Sequence, residues 1–595
     1  MRFALLFLIT LTATFYIPEL NCHIVNKSNT HIKYYVRIFL DYDNLLVSGS
    51  LVLSFRNNHN VSFKSIYLHV YPNAFKDNGG WIKIHDVNSI LGSNILGYRI
   101  QGFDETILNI TLINPLKPGE LLKINVTFTI KVPVVADRFG YNNGIMALGN
   151  ALPILAVYDE DGWNLDPYVR SGESFYSEIA NYDVIIMTDP DVVIAATGNL
   201  INTSYNGNLK IEHWYAEKVR DFAIVASKDF KVYTVKYENV TIYSYYKSEH
   251  EYLGKEAAKI GYKAIKAYSE NIGFYAYNEL RIVEVDFWAG GMEYPMLVMI
   301  ASSLYVPSRF EYLELVIAHE IGHQWWYGAV GNDQNDEPWL DEGLTEYTTI
   351  MYFEWNYGWK RGRDIFYKYY KNRYYRFLSY HGDYPIADTM YFFAKKPYIY
   401  FTIVYKKGAC VLDMLRHMLG DETFFNILRT FYVEYKYKIA RIRDFIAIAE
   451  KVSDRDLSWF FDHWLYGRGV VKYQILNATT YRIFFGYVLQ VCIRRLEPEK
   501  EVKMLVPIEI KTERGITTKW IWINNTIECI TLTLSDRPLT VIIDPQDIIL
   551  GEDIRSLVPV TEVEGRGIPV TFLLQLSVLI VLFFLNIIII KKVRE

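Results

Sequence analysis

The chain has 595 residues, 51% of them hydrophobic, which at about 150 residues per domain predicts about four domains with real cores and excludes a disordered protein. Lys and Arg total 62 against 67 Asp and Glu, a formal charge of −5. With no basic excess to neutralise phosphates, a nucleic-acid partner is argued against.

Residues 1–22 read as a secretory signal peptide: Arg2 precedes the apolar run Phe3–Ile17, which is short for a membrane span. Residues 23–228 read as an all-β domain. Tyr34–Leu40, Ser50–Phe55, Ser65–Tyr71, Leu122–Val132 and Tyr182–Thr188 are short and rich in β-branched and aromatic residues, and turn clusters such as Lys76–Gly80 part them. From Glu249 the pattern turns helical and stays so to about Tyr466, within a predicted catalytic domain at 229–470.

That domain carries the chemistry. Ser308 and Glu311 have capping-box spacing, so a helix is predicted to start there and run through His319-Glu320-Ile321-Gly322-His323. On a helix His319 and His323 stack on one face, where two imidazoles can bind one Zn²⁺ and Glu320 beside them can take a proton from water. Alone, this pattern also fits two core histidines. After 18 further residues comes Glu342, in Trp339-Leu340-Asp341-Glu342-Gly343, with Pro338 suited to a first helical turn. A carboxylate there completes a His₂Glu zinc set with an open fourth position, the arrangement used for peptide or amide hydrolysis. Asp341 is a candidate partner for a ligand histidine or an ordinary surface acid, and Glu346 has no assigned role.

Residues 471–550 read as a small β-sandwich-like domain. Four cysteines are present, with no CxxC pair; Cys492 and Cys529 share this β-like segment, where an oxidising exterior permits a disulfide, and Cys410 sits in an apolar helical run. A linker (551–567) precedes Ile568–Ile590, 23 residues without a charge. At about 1.5 Å per residue they reach about 34 Å, enough to cross a bilayer. Lys591, Lys592 and Arg594 follow, so the tail at 591–595 is expected in the cytoplasm and the bulk of the chain outside the cell. Sequons at Asn26, Asn60, Asn109, Asn125, Asn202, Asn239, Asn477 and Asn524 agree with a glycosylated exterior. The predicted fold class is thus multidomain α+β, with a single C-terminal transmembrane helix in contact with membrane lipid. No pattern specifies the oligomeric state.

HEIGHQWW with the Glu of WLDEGLTEY resembles the gluzincin aminopeptidases of the aminopeptidase N and leukotriene-hydrolase type. Gly290-Gly291-Met292-Glu293, 26 residues before His319, resembles their exopeptidase motif. Val404-Tyr405-Lys406-Lys407-Gly408-Ala409 resembles the segment with the catalytic tyrosine, and Trp459–Leu465 the end of their catalytic domain. The resemblance implies an N-terminal β saddle domain, a thermolysin-like catalytic domain, one Zn²⁺ per chain, and peptide substrates with a free N-terminus. It also implies Glu293 as the anchor of the substrate α-amine, with Gly290, Gly291 and Met292 along the substrate chain and Tyr405 as donor to the oxyanion. Two departures stand out: Tyr294 replaces the usual Asn after Glu293, and the large C-terminal helical domain is missing. The alternatives are a thermolysin-type zinc endopeptidase and an inactive surface-binding member.

Overall fold

The structure is a computed structural model that describes residues 31–170, 172–496, 503–551 and 556–563. The predicted signal peptide, the sequon at Asn26, the apolar stretch 568–590 and the tail lie outside the described residues. Among the described residues no helix is long and apolar enough to cross a membrane.

The N-terminal part is built from strands, as alternation in the sequence dictates. Ile32–Asp41 alternates buried and less buried residues and pairs antiparallel with Leu46–Arg56 and parallel with Ala180–Thr188. These strands form the centre of a seven-stranded sheet, and the same part of the chain also builds two four-stranded sheets. The cluster at Lys76–Gly80 ends a 3₁₀ turn (Tyr71–Asn78), with Gly79 in the left-handed conformation that glycine tolerates.

The next unit opens with strands rather than helices: Phe230–Tyr237 and Val240–Lys247 start a five-stranded sheet completed by Glu279–Val285, Leu297–Ala301 and the edge strand Gly291–Met292. Helix α1 (Glu251–Asn271) lays Ala257, Ala264 and Ile265 on this sheet. Helix α2 (Phe310–Gly322) is mostly apolar and, apart from its first turn, largely enclosed, packed with α1 and α3 (Trp339–Tyr357). The expected capping box at its start does not form. Pro307–Arg309 makes a 3₁₀ turn, and the Glu311 carboxylate is taken by Arg361, Lys368 and Tyr369 instead.

Behind α3 runs the helix Gly408–Leu419, preceded by a π-helical turn over Phe401–Lys407. Gly343 and Gly408 meet over the Trp339 indole, where a Cβ on either would overlap the ring. That close approach brings the π turn, a wide turn often found at functional sites, beside Glu342.

Residues from Tyr473 onward form two four-stranded sheets. Cys492 and Cys529 are direct cross-strand partners and are disulfide-bonded, while Cys410 is free and buried. The segment expected as a linker after residue 550 is partly structured: Leu557–Pro559 pairs with Pro538–Ile543, and Thr561–Glu562 adds in parallel to Tyr473–Ile483. Open sheet edges offered unpaired backbone groups, and the chain satisfies them. Of the described sequon asparagines, Asn60, Asn202, Asn239, Asn477 and Asn524 are exposed and Asn125 is half-buried. Asn109 is buried on an inner strand with its amide on Gln101, so it cannot serve as a glycan acceptor in the folded chain.

Candidate active site

His319 ends the last turn of α2 and His323 lies just past it, so the two rings face each other with Nε2 atoms 3.1 Å apart. From α3, Glu342 sends Oε2 to 3.3 Å from His319 Nε2 and 3.5 Å from His323 Nε2. A tetrahedral zinc with ligands at about 2.0–2.1 Å separates neighbouring donors by about 3.3–3.4 Å. The triangle therefore has the right size, and Glu342 Oε2 is a buried acceptor that no hydrogen bond reaches. Two imidazole nitrogens and an orphaned carboxylate oxygen converge as acceptors on one point. The residues fit Zn²⁺.

Each ligand is itself held. His323 Nδ1 donates to the Trp326 carbonyl, with Thr345 Oγ1 also at 3.1 Å, which leaves Nε2 free to coordinate. His319 Nδ1 lies 3.5 Å from Glu346 Oε2. Glu346 in turn accepts from Tyr370 at 2.6 Å and from Lys406 Nζ. The partner of the ligand histidine is therefore Glu346 and not Asp341. The signal was available, since Glu346 is one helical turn beyond Glu342 and shares its face. Burial alone would lower His323, yet the Glu293 and Glu342 carboxylates outweigh it and lift it to about 9. The site prefers positive charge.

Tyr405 leaves the π turn with its hydroxyl donating to Glu342 Oε1 and its ring stacked 6.0 Å from that of His319. Glu320 points into the same space; burial, then the neighbouring Glu293 charge, push its carboxyl up to about 8 against the pull of His319. A Cβ on Gly291 would overlap the Glu320 carboxylate, so glycine there is required by this contact.

Across the cleft, Glu293 is almost wholly buried and accepts from Gln334 Nε2 at 3.1 Å. The same nitrogen donates to Asp341 Oδ2 at 2.8 Å and Glu173 Oε2 at 3.3 Å. Three carboxylates thus share one amide group that has two protons. Gln334 is oriented by the Phe175 backbone N–H on its Oε1. Glu173 and Gln334 carry no motif and escaped the sequence reading. Gly290 and Gly291 line the cleft, Gly291 on the edge strand, but the Met292 side chain does not. Strand alternation turns the Met292 side chain into the core, opposite to Gly291 and Glu293, so any contact of Met292 with a substrate chain falls to its backbone. Tyr294 is likewise turned away from the cleft: its hydroxyl donates to Asn150 Oδ1 at 2.6 Å in the N-terminal part. Gln324 clamps the Tyr294 carbonyl and the Met296 N–H, so the replacement leaves Glu293 seated in the cleft.

This fold with HExxH and a downstream glutamate on the next helix defines a gluzincin-type zinc site. Residues 256–464 match the peptidase family M1 domain. Aminopeptidase M1 of Arabidopsis thaliana is 24% identical over 316 residues, covering 50% of this chain and 35% of that protein. Aminopeptidase N of Lactococcus lactis subsp. lactis is 27% identical over 209 residues, 33% of this chain and 24% of the other. The chain thus spans about a third or less of the length of these relatives. Among solved structures, aminopeptidase A of Legionella pneumophila in complex with aspartic acid superposes with a TM-score of 0.62 at 15% identity, over 91% of this chain and 61% of that one. A mutant M1 zinc metallopeptidase from Deinococcus radiodurans gives 0.55 at 15% identity, over 74% of this chain and 94% of that one. Residues 256–464 thus carry a peptidase family M1 domain, the domain of the zinc metallopeptidases and aminopeptidases that this chain is similar to.

Proposed function

We propose that this protein is a zinc aminopeptidase that removes the N-terminal residue from peptides. The observation that carries the reading is the trio Glu173, Glu293 and Asp341 around a single amide nitrogen, next to the His₂Glu triangle. Such a group is under-supplied with hydrogen-bond donors, and a substrate ammonium brings three. Glu293 and Glu173 line the same cleft as His319 and Glu320, so an ammonium held there would keep the first peptide bond near the metal ligands.

His319, His323 and Glu342 would hold Zn²⁺, which when bound would supply Lewis-acid polarisation of the scissile carbonyl and a more acidic water. Glu320 takes the proton from the attacking water and passes it to the leaving amine. Its raised proton affinity suits both halves of that task. Tyr405 turns its hydroxyl from Glu342 to the oxyanion that develops on the carbonyl. The open edge of Gly290–Gly291 pairs with the substrate backbone.

The test compares aminoacyl amides with a free amine against their N-acetylated forms, with zinc supplied. Cleavage of the free-amine set alone is expected, with Glu293→Ala costing most of that activity. Equal cleavage of both sets would instead indicate an endopeptidase.

We also propose that the chain is membrane-anchored through Ile568–Ile590 and faces the cell exterior. The flanking Lys591, Lys592 and Arg594, the five exposed sequons and the Cys492–Cys529 disulfide support this reading. A glycosidase-sensitive mass shift and access of external protease to the catalytic domain on intact cells are the expected results; protection from protease would reverse the topology.

A further inference from the structure

Many exposed aromatics among the described residues lean on a neighbouring ring, as Tyr398 does on Phe377 and Trp522 on Trp459, but the tip of the hairpin between Tyr473–Ile483 and Gly486–Arg495 exposes two in a row. Phe484 is 104% exposed and Phe485 65%, and neither packs on another ring among the described residues. Two adjacent phenylalanines facing water are costly unless something apolar covers them.

The path of the chain says what covers them. Thr561–Glu562 joins Tyr473–Ile483 in parallel, with Thr479 opposite Thr561 and Thr480 opposite Glu562. The Val563 N–H then donates to the Thr480 carbonyl at 3.0 Å. Up to Val563 the chain therefore runs along the hairpin in the direction of its tip. From Thr480 to Phe484 is four strand residues, about 13 Å. From Val563 to Ile568, where the uncharged stretch begins, is five residues, which span at most about 18 Å. The first residue of the apolar stretch and the two phenylalanines can thus reach the same level.

The rest of this end suits a lipid headgroup layer. Arg537 bridges Glu562 at 2.6 Å and Arg514 faces Asp536 at 3.4 Å, so charges beside the exit are neutralised in pairs. Exposed Arg482 flanks the tip, where a long cationic side chain can reach toward phosphate while its stem stays in an apolar layer. Aromatic rings at the level of the membrane–water interface are favourable.

We propose that Phe484 and Phe485 insert into the outer leaflet beside the anchor, so that the C-terminal sheets are pinned to the bilayer at two points instead of swinging from one. This rests on the reading of 568–590 as a membrane span. The residues involved touch neither the zinc ligands nor the cleft.

The experiment uses the full chain in phosphatidylcholine vesicles with brominated acyl chains, as Phe484→Trp, Phe485→Trp and, on the remote N-terminal surface, Phe103→Trp, which is 88% exposed. Emission is read as the difference from the unsubstituted chain with its 13 tryptophans. Flotation of the vesicles is measured first. The expected result is flotation with protein attached, the emission added at 484 and 485 falling more than about twofold, and that at 103 unchanged, as a depth-limited contact requires. Flotation without quenching at 484 and 485 would leave the anchor standing and overturn the docking. Quenching at 103 as well would mean general adsorption and also overturn it. Protein that fails to float would remove the anchor reading, and the docking with it.

Discussion

The two ends of the cleft use the same side chains in opposite ways. At the metal end, burial raises Glu342, but His323 and His319 outweigh it and hold it below the usual carboxylate range. Glu346 is likewise held down to about 2, burial being outweighed by Lys406 and His319. At the amine end, burial and then the Glu293 charge raise Glu173 well above that range. Carboxylates of the first kind have their cationic neighbours built in. Those of the second kind share one amide, and the Arg138 guanidinium near Glu173 does not offset burial and the neighbouring carboxylates, a condition that a substrate ammonium relieves. A protein that builds both states within one cleft keeps a permanent cation site beside a transient one.

The largest effect expected along this contrast belongs to neither end but to the group between them. Glu320→Gln should bind zinc normally yet lose about 10³–10⁴ in kcat, because proton transfer is removed while the ligand triangle stays. Steady-state rates together with metal content decide it, and retained turnover would end the general-base assignment. Tyr405→Phe comes next, at about 10²–10³ in kcat with little change in KM, since the oxyanion exists only as the bond breaks.

Glu346→Gln probes the metal end itself. It should weaken zinc affinity about 10- to 100-fold in a chelator competition while leaving kcat at saturating zinc nearly unchanged, because Glu346 acts only through His319. A kcat loss that zinc cannot restore would make Glu346 part of the chemistry. The smallest effect is on the amine end and depends on pH. A raised Glu173 becomes protonated as pH falls through a range where free glutamate, at about 4.3, is still ionised. Ammonium affinity should therefore weaken on acidification, with KM for free-amine substrates rising earlier than an ordinary glutamate would allow. A flat KM from neutral to mildly acid pH would remove Glu173 from amine binding.

Much of the metal end was legible in the chain. The spacing of His319 and His323 sets them on one helical face whatever surrounds them, and Glu342 follows in a segment with its own start signal at Pro338. The strands of the N-terminal part were legible for the same reason, since alternation is a local property. Where a competing partner existed, local rules failed. Ser308 lost its capping role because Glu311 found Arg361, Lys368 and Tyr369 across the fold. The expected linker became strand because two sheet edges stood open.

The amine end was legible only in part. Glu293 lay in a motif, but Glu173 and Gln334 come from segments separated by 161 positions, each without any pattern of its own. Tyr294 reads in sequence as a fault in that motif, whereas in space it is a tie to Asn150. The sequence by itself determined what one helix or strand can carry: the candidate zinc donors, the acid beside them, the alternating strands and the uncharged stretch near the C-terminus. Tertiary structure alone decided the rest, namely which acids share an amide, which carboxylate steadies His319, and that Thr561–Glu562 pairs beside the hairpin that bears two bare phenylalanines. Helical and strand periodicities act over a few residues, while the electrostatics of a cleft depends on groups that only folding brings within a few ångströms.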